Sequence, residues 1–305
     1  MTNEKELLAK YNLLPIKISY NNKTKIITTA TNSYTIKIKE SPTSHIYQYL
    51  DSHNFSNYLR QINSPRDAYE IYPYIEEKKL DPETKALDLI YTLSLLHNKT
   101  TTYQKINLDE IKEKYEKIEN EIDYLLSYYY DLQEYIENKV YMSPAEYLLI
   151  RNINLIYISL NNAKGHINEW YQLKNTKEHE RQVFLHNNLT LDHFLVSDNN
   201  YLINWKKSKQ DSPVYDFVNL YRKEYENVEM ESLYNIYQSK YQYTKDEKIL
   251  FYSLIELPWK ITFKNTNYIN TLKVEKLIDY LKKTNHFISK EYEKDQKTQQ
   301  EELHK

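Results

Sequence analysis

The sequence has very little glycine and no cysteine, and both shortages limit its chemistry. Its 305 residues include one glycine, Gly165, and no cysteine. Average usage would supply about 20 glycines. Phosphate-binding P-loops, dinucleotide-binding turns and glycine-rich nucleotide loops need glycine where the backbone approaches a phosphate, so their standard forms are excluded. Without cysteine there are no disulfides, thiolate zinc sites, iron–sulfur clusters or cysteine nucleophiles.

The chain also lacks a dominant charge and a long apolar run. Its 41 basic and 43 acidic side chains give a net charge of −2, which offers no basic footprint for nucleic acid. No run approaches the roughly 18 apolar residues of a membrane-spanning helix, and the first ten residues have no apolar core of a signal peptide. We therefore expect a cytoplasmic protein that binds neither nucleic acid nor membrane. Abundant lysine, tyrosine, asparagine and isoleucine indicate an A/T-rich genome.

The N-terminal part is typical of a small antiparallel sheet. Alternating residues over 16–39 predict a three-stranded meander with turns at 21–23 and 31–33. The Ser41-Pro42 pair predicts the start of a short helix that ends near His53. Segments 57–62 and 68–72 are candidates for two further strands. Since Tyr72-Pro73-Tyr74 breaks the pattern, we place a lobe boundary near residues 73–80 and a β-rich N-lobe at 1–77.

Helical patterns dominate the following residues. Asp81-Pro82 predicts the start of a helix with an apolar stripe. A heptad seam, spaced alternately by four and three residues, then predicts a long helix: Ile111, Tyr115, Ile118, Ile122, Leu125, Tyr129, Leu132 and Ile136. Ser143 and Glu146 form a capping-box pattern that begins a second long helix, ending near Leu173. We expect a helical hairpin over 108–173. It serves structural packing or, alternatively, docks a partner protein.

The remaining chain combines a short hairpin with helices. Segment 183–205 predicts short strands around a loop and a tight turn at 197–200. From Ser212-Pro213 the chain is helical in pieces, with breaks near Thr244 and Pro258. These elements place a helical C-lobe at 78–288 and a polar tail, fraying or disordered, at 289–305.

Several short motifs resemble the aminoglycoside phosphotransferase and choline-kinase family. The ten residues His186–Leu195 read HNNLTLDHFL and resemble its catalytic loop, H-G-D-x-x-x-x-N-x-L. Ile203-Asn204-Trp205 falls where the family has I-D-W or I-D-F, and Asp216 falls in the helix that follows. Leu95-Leu96-His97 resembles the family's helix ending in L-H, and the inserted hairpin is similar to its spore-coat branch. The resemblance implies an α+β protein-kinase-like fold of two lobes, with a small antiparallel-sheet N-lobe and a large helical C-lobe.

The chain departs from that motif at the residues that carry the chemistry. Asn188 stands where the family has its catalytic aspartate, and Asn204 stands at the magnesium aspartate. His193 replaces the family's asparagine metal ligand, and Asn187 replaces a glycine. An amide cannot accept a proton as a carboxylate base does, and Mg²⁺ prefers carboxylate and phosphate oxygens. No catalytic residue is therefore intact. No cofactor or metal is expected, and ATP with Mg²⁺ remains the alternative.

Lys37 and Tyr74 are the candidate remnants of a nucleotide cleft. Tyr34 and Ile36 share one face of a strand, whereas Thr35 and Lys37 share the other. The pattern resembles the kinase V-A-I-K strand, whose lysine contacts nucleotide phosphates. We expect Lys37 to face the cleft, near Asn204 or Asp51, although an exposed strand lysine gives the same pattern. The helix at 41–53 has no glutamate, and Asp51 is its only acid.

These patterns leave three functions open. The first is a catalytically defective member of the kinase-like phosphotransferase fold that binds a partner protein or a ligand. The second is an atypical nucleotide-dependent transferase that uses His193 and Asp192 with altered metal chemistry. Separately, His186 and His193, seven residues apart, could ligate a transition metal together with Asp192, although structural histidines are commoner. The third is a structural, spore-coat-like interaction protein, since the resemblance suggests a Firmicute and a spore-associated setting.

Overall fold

The computed structural model describes residues 4–21, 24–39 and 43–303, and the chain forms two compact units. One unit contains residues 1–102 and 182–241, and the other contains 103–181 and 242–305. The strands are β1 (Lys17–Asn21), β2 (Thr24–Thr28), β3 (Ser33–Ile38), β4 (Tyr69–Pro73), β5 (Thr102–Lys105), β6 (His179–Leu185), β7 (Phe194–Val196), β8 (Asn200–Leu202) and β9 (Lys209–Asp211). The helices are α1 (Glu4–Lys10), α2 (Ser44–Ser52), α3 (Pro82–Thr100), α4 (Leu108–Glu137), α5 (Pro144–Arg151), α6 (Ile153–Asn175), α7 (Val214–Glu224), α8 (Met230–Lys240), α9 (Lys245–Ile255) and α10 (Asn267–Leu303).

The first unit begins with a four-stranded antiparallel sheet in the order β1-β2-β3-β4. This confirms the meander over 16–39 and the strand near 68–72. Part of the predicted turn at 21–23 lies outside the described residues. Alternation gives the sheet two faces. One face buries Ile27, Ile36 and Ile71 against Leu7 and Leu8 of α1. The other face carries Thr35 and Lys37 and borders a cleft.

The strand predicted at 57–62 is wrong. Tyr58 makes one isolated bridge to Leu202, and the segment is otherwise irregular. The side chain of Asn63 accepts a hydrogen bond from the backbone N–H of Ile71 at 2.8 Å. An amide side chain thus takes a place on β4 that another strand would need. The predicted helix start at Ser41-Pro42 lies outside the described residues, and α2 itself begins at Ser44.

Helix α3 begins as its sequence indicates. Pro82 is its first residue, and the Asp81 carboxylate accepts a hydrogen bond from the backbone N–H of Thr84 at 2.9 Å. Its apolar stripe is fully buried: Ala86, Leu89, Ile90, Leu93 and Leu96. The helix packs against α8 within the first unit. The boundary expected near residues 73–80 thus falls inside this unit.

The second unit is built around α4 and α6, with α9 packed on α6 and α10 packed on α5 and α6. Six of the eight heptad residues of α4 are buried, which confirms the seam; Tyr115 and Leu132 are half-buried. Both hydrogen bonds of the capping box between Ser143 and Glu146 form. The stretch from 289 to 303 continues α10. None of the helices in the described ranges combines the length and apolar character that a bilayer crossing requires.

The second arm of the hairpin is not one helix. It divides at Asn152, between α5 and α6. The side-chain amide of Asn152 donates to the carbonyl oxygen of Leu148 at 2.9 Å. Asparagine competes in this way with the main chain for hydrogen bonds and favours helix ends over helix interiors. The expectation of one helix up to Leu173 is therefore corrected.

Candidate functional site

The loop between β6 and β7 holds the residues of the resembling motif. It turns at Asn187, which has a left-handed backbone with φ of 56°. Glycine enters this region most easily, and asparagine is among the side chains that tolerate it best. The four non-glycine residues with positive φ in the described part of the chain are all asparagines: Asn12, Asn54, Asn187 and Asn204. Asparagine thus takes a conformational role that glycine often has in proteins.

Asp216 of α7 holds the start of this loop. Its two carboxylate oxygens accept hydrogen bonds from the backbone N–H groups of His186, at 2.8 Å, and Asn187, at 2.6 Å. The Nε2 atom of His97 lies 3.2 Å from the same carboxylate, and its Nδ1 atom lies 2.6 Å from the hydroxyl of Tyr237. Asp216, His97 and Tyr237 are completely buried. Hydrogen bonds to an ionised acceptor are stronger than neutral ones, so this carboxylate fixes the loop firmly.

Glu224, two turns further along α7, holds the end of the loop. One carboxylate oxygen accepts from the hydroxyl of Thr190 at 2.7 Å and from the backbone N–H of Leu191 at 3.0 Å. The other oxygen accepts from the amide of Asn227 at 2.9 Å. Burial alone would raise the pKa of Glu224, but these hydrogen bonds outweigh it and lower the pKa. The carboxylate therefore stays ionised, and the loop is held at both ends by one helix.

Asn188 has a lysine beside it. The ammonium group of Lys223 lies 3.2 Å from the side-chain oxygen of Asn188. Burial lowers the pKa of Lys223, and the charge of Lys207 lowers it further. The position that resembles a catalytic aspartate therefore carries a neutral amide that accepts a hydrogen bond from a cation.

His193 and Asn204 form a closed pair. The Nδ1 atom of His193 lies 2.8 Å from the carbonyl oxygen of Asn188, which can only accept, so Nδ1 carries the proton. Nε2 is then an acceptor, and the amide nitrogen of Asn204 lies 3.0 Å from it. Asn204 has a left-handed backbone with φ of 69°. The lone pair that could bind a metal ion is thus engaged by an amide N–H.

His186 is buried and has a structural environment. Its Nε2 atom donates to the carbonyl oxygen of Ile203 at 2.7 Å, and its ring packs edge-on against Trp205. Burial lowers the pKa of His186, which keeps the ring neutral. The rings of His186 and His193 are 6.2 Å apart, and the described residues include no group of three acidic or histidine side chains suited to a metal ion.

A cleft of about 360 Å³ lies in the first unit between the polar face of the sheet and this loop. Lys37, Tyr74, Asp192, Asn204 and Lys206 all line it, together with Glu70. Three predicted positions, Lys37, Tyr74 and Asn204, are therefore brought together there. Asn188 and His193 belong to the adjoining loop.

The acidic neighbour of Lys37 is not Asp51. That carboxylate accepts from the hydroxyl of Tyr58 at 2.6 Å and from Arg60 at 2.5 Å. Glu70 lies directly opposite Lys37 in the register of β3 and β4 and is buried. Strand pairing across 33 positions of chain produces this juxtaposition, which no local spacing reveals.

The residues at the loop do not fit a magnesium–nucleotide site. Asn188 and Asn204 replace the carboxylates that the resemblance implies, and both amides are engaged within the protein. Lys206, Lys207 and Lys223 add positive charge nearby. A divalent cation needs hard anionic oxygens, and the two amides do not supply them.

Sequence reasoning missed Glu70, Lys223 and Glu224. A usable signal existed for Glu224, since Asp216 and Glu224 are eight residues apart and therefore lie on one face of α7. For Glu70 the signal would have been the register of β3 and β4.

Neither a protein-family profile nor a curated protein sequence matches the chain. Solved structures do. An aminoglycoside phosphotransferase from Alicyclobacillus acidocaldarius superposes with a TM-score of 0.73 at 12% identity, covering 96% of each chain. The chain has the fold of the aminoglycoside phosphotransferases. Spectinomycin phosphotransferase in its AMP-bound form gives a TM-score of 0.54 at 13% identity, covering 93% of this chain and 92% of the other. Its complex with ADP and spectinomycin gives 0.51 at 10% identity, covering 88% and 92%.

The aminoglycoside phosphotransferase fold is the α+β, protein-kinase-like arrangement that the loop motif implies. The small antiparallel sheet β1–β4 and the helical remainder both agree with it. At these identities the likeness concerns the fold, and the chemistry has to be argued from the site.

Proposed function

We propose that this protein is a binding protein on the aminoglycoside phosphotransferase fold and does not transfer phosphate. The observation that carries the proposal is the contact of 3.2 Å between Lys223 and Asn188. Phosphoryl transfer on this fold needs a group that takes up the hydroxyl proton and anions that hold magnesium. A neutral amide beside a cation supplies neither function.

The loop keeps its shape in spite of this loss. Asp216 and Glu224 hold backbone N–H groups of the loop, so its conformation does not depend on the side chain at position 188. The cleft beside the loop is lined by Lys37 and Glu70, which lie opposite each other on neighbouring strands, and it has room for a small molecule. These features support retention of the cleft for binding a ligand.

A calorimetric titration with ATP, with and without Mg²⁺ or Mn²⁺, tests the proposal alongside a phosphotransfer assay. We expect no turnover and no binding that requires a metal ion. If ATP alone binds, Lys37→Met should weaken binding, whereas the matched control Lys17→Met, on an exposed strand position, should not. Turnover that depends on a divalent ion would refute the proposal and favour the transferase that uses His193 and Asp192.

A partner protein is a second candidate for what this fold binds. The tip of the hairpin between α4 and α5 exposes two apolar side chains, with 87% of Val140 and 88% of Tyr141 accessible to solvent. Exposed apolar groups at the end of a long helical arm favour a docking role. Ser at both positions should abolish capture of a partner from a lysate of the source cells. The control Tyr103→Ser, at another exposed tyrosine with 71% of its surface accessible, should leave capture unchanged.

A further inference from the structure

Two lysines from different elements lie beside the loop that turns at Asn187. Lys207 ends the single helical turn that follows β8, and Lys223 lies in the last turn of α7. The side-chain amide of Asn187 donates to the main-chain oxygen of Lys207 at 2.9 Å. The side-chain oxygen of Asn188 accepts from the ammonium group of Lys223 at 3.2 Å. Two consecutive asparagines of the loop therefore contact both lysine residues.

The positive charge of this lysine pair is not neutralised by the protein. Among the residues that the structure describes, neither ammonium group forms an ion pair with a carboxylate. Lys209 differs in this respect, because its ammonium group lies 2.7 Å from the carboxylate of Asp211. Burial lowers the pKa of Lys223, and repulsion by Lys207, which exceeds the attraction of Glu224, lowers it further. An anion beside both lysines would relieve this cost.

Asn188 adds neutral donors beside the charge. An ammonium group can only donate, so the atom of Asn188 that faces Lys223 is the side-chain oxygen. The NH₂ group of this half-buried residue meets no acceptor in the part of the chain that the structure describes. Lys223 uses one of its three N–H groups on Asn188. Two N–H groups on each of these side chains are therefore left for a ligand.

The acidic side chains near the loop do not occupy these donors. Each carboxylate oxygen of Asp216 and of Glu224 accepts a hydrogen bond from another protein group. Asp192, the remaining acid of the loop region, lines the neighbouring cleft. The groups at the turn that can still bind a ligand are therefore donors: the two ammonium groups and the NH₂ group of Asn188.

We propose that this lysine pair binds a phosphate group, free or carried by a small alcohol, without a metal ion. The inference deepens the proposed function and rests on it. A phosphate dianion carries two negative charges and several acceptor oxygens, which suit Lys207, Lys223 and the amide of Asn188. A carboxylate carries one charge, and a cation would meet two ammonium groups. The adjoining cleft of about 360 Å³ offers room for the organic part of a phosphate ester.

The replacement of a carboxylate by an amide at position 188 has a chemical consequence in this proposal. An aspartate there would pair with Lys223 and remove the charge that attracts the anion. Asparagine accepts from the same ammonium group and leaves its charge uncompensated. The residue that disables phosphoryl transfer is thus the residue that permits an anion to bind.

The test uses three probes in EDTA at constant ionic strength: inorganic phosphate, glycerol 3-phosphate and glycerol. In calorimetry and thermal unfolding of the full-length protein, both phosphates should bind saturably and raise Tm, whereas glycerol should do neither. Tighter binding of glycerol 3-phosphate would identify an ester as the ligand, and equal binding would identify free phosphate. If chloride at the same ionic strength raised Tm as much as phosphate, the proposal would be overturned.

Two variants and one control locate the binding. Lys223→Met should weaken phosphate binding about tenfold or more, because a charged donor is removed. Asn188→Asp should abolish binding without lowering Tm, since the new carboxylate pairs with Lys223. The control Lys105→Met, at an exposed position of β5, should leave affinity unchanged. Wild-type affinity in both loop variants would refute the site.

Failure of this inference is distinguishable from failure of the proposed function. If neither phosphate binding nor phosphotransfer were detected, the lysine site alone would be refuted. Turnover of ATP that requires a divalent ion would refute the proposed function and, with it, this site.

Discussion

Asp216 accepts hydrogen bonds from two backbone N–H groups of the loop, and we call this set of contacts the brace. Replacing Asp216 should show how much the brace contributes to the free energy of unfolding. In Asp216→Asn, one carboxylate oxygen becomes an NH₂ group. Both oxygens now accept from backbone N–H groups, at 2.8 and 2.6 Å, so the new amide faces a donor in either orientation. One charge-assisted hydrogen bond is lost and a buried N–H is left unpaired, which costs about 1.5–3 kcal/mol.

Asp216→Ala should cost more, about 3–5 kcal/mol, because both N–H groups and the Nε2 atom of His97 lose their partner in a fully buried place. Urea unfolding followed by circular dichroism measures both values. Asp192→Asn, an exposed carboxylate of the same loop region, is the control and should stay within about 0.5 kcal/mol of the wild type. If the Asp216→Asn variant were as stable as this control, the brace would contribute nothing, and our account of the loop would fail.

Three further predictions follow from particular contacts. Acid should weaken the second unit through Asp246, whose pKa is lowered to about 2, where burial acts against it but the charge of Lys174 prevails. Because this pKa is depressed in the folded state, the pair contributes its full stabilisation above about pH 4. Roughly 2 kcal/mol of the free energy of unfolding is lost as the pH falls toward 2. The Asp246→Asn variant, unfolded across the same pH range, should lack this pH dependence. Asn187→Ala should be less stable than Asn187→Gly by about 1–2 kcal/mol, since alanine is strained at a φ of 56°, and thermal unfolding that gave the opposite order would contradict this. The double change Asn188→Asp with Asn204→Asp should not restore phosphotransfer, since an aspartate at 188 would pair with a lysine and the chain has no glycine-rich loop; measurable ATP turnover would show that these two residues alone had silenced the site.

Sequence predicted the local elements of this fold well, because their causes are local. The cap at Asp81 and the capping box at Ser143 depend on residues three apart. The seam of α4 depends on a repeat that one face of a helix must bury. The resemblance of loop residues 186–195 predicted the fold as a whole, which the comparison with solved structures confirms.

The failures came from contacts between distant segments. Glu70 opposes Lys37 only because β4 pairs with β3. Lys223 reaches Asn188 because α7 lies beneath the loop. The break at Asn152 depends on one side-chain amide that donates a hydrogen bond to the carbonyl oxygen of Leu148. None of these leaves a periodic signal.

The brace on α7 also affects how the loop responds to mutation. Asp216 and Glu224 accept hydrogen bonds from the main-chain N–H groups of His186, Asn187 and Leu191. Every residue except proline has such an N–H group. A mutation at position 188 therefore alters what the loop can do without altering how it is held. Asparagine and aspartate codons differ by one base, so the loop could exchange an amide for a carboxylate in a single mutational step while the protein continued to fold.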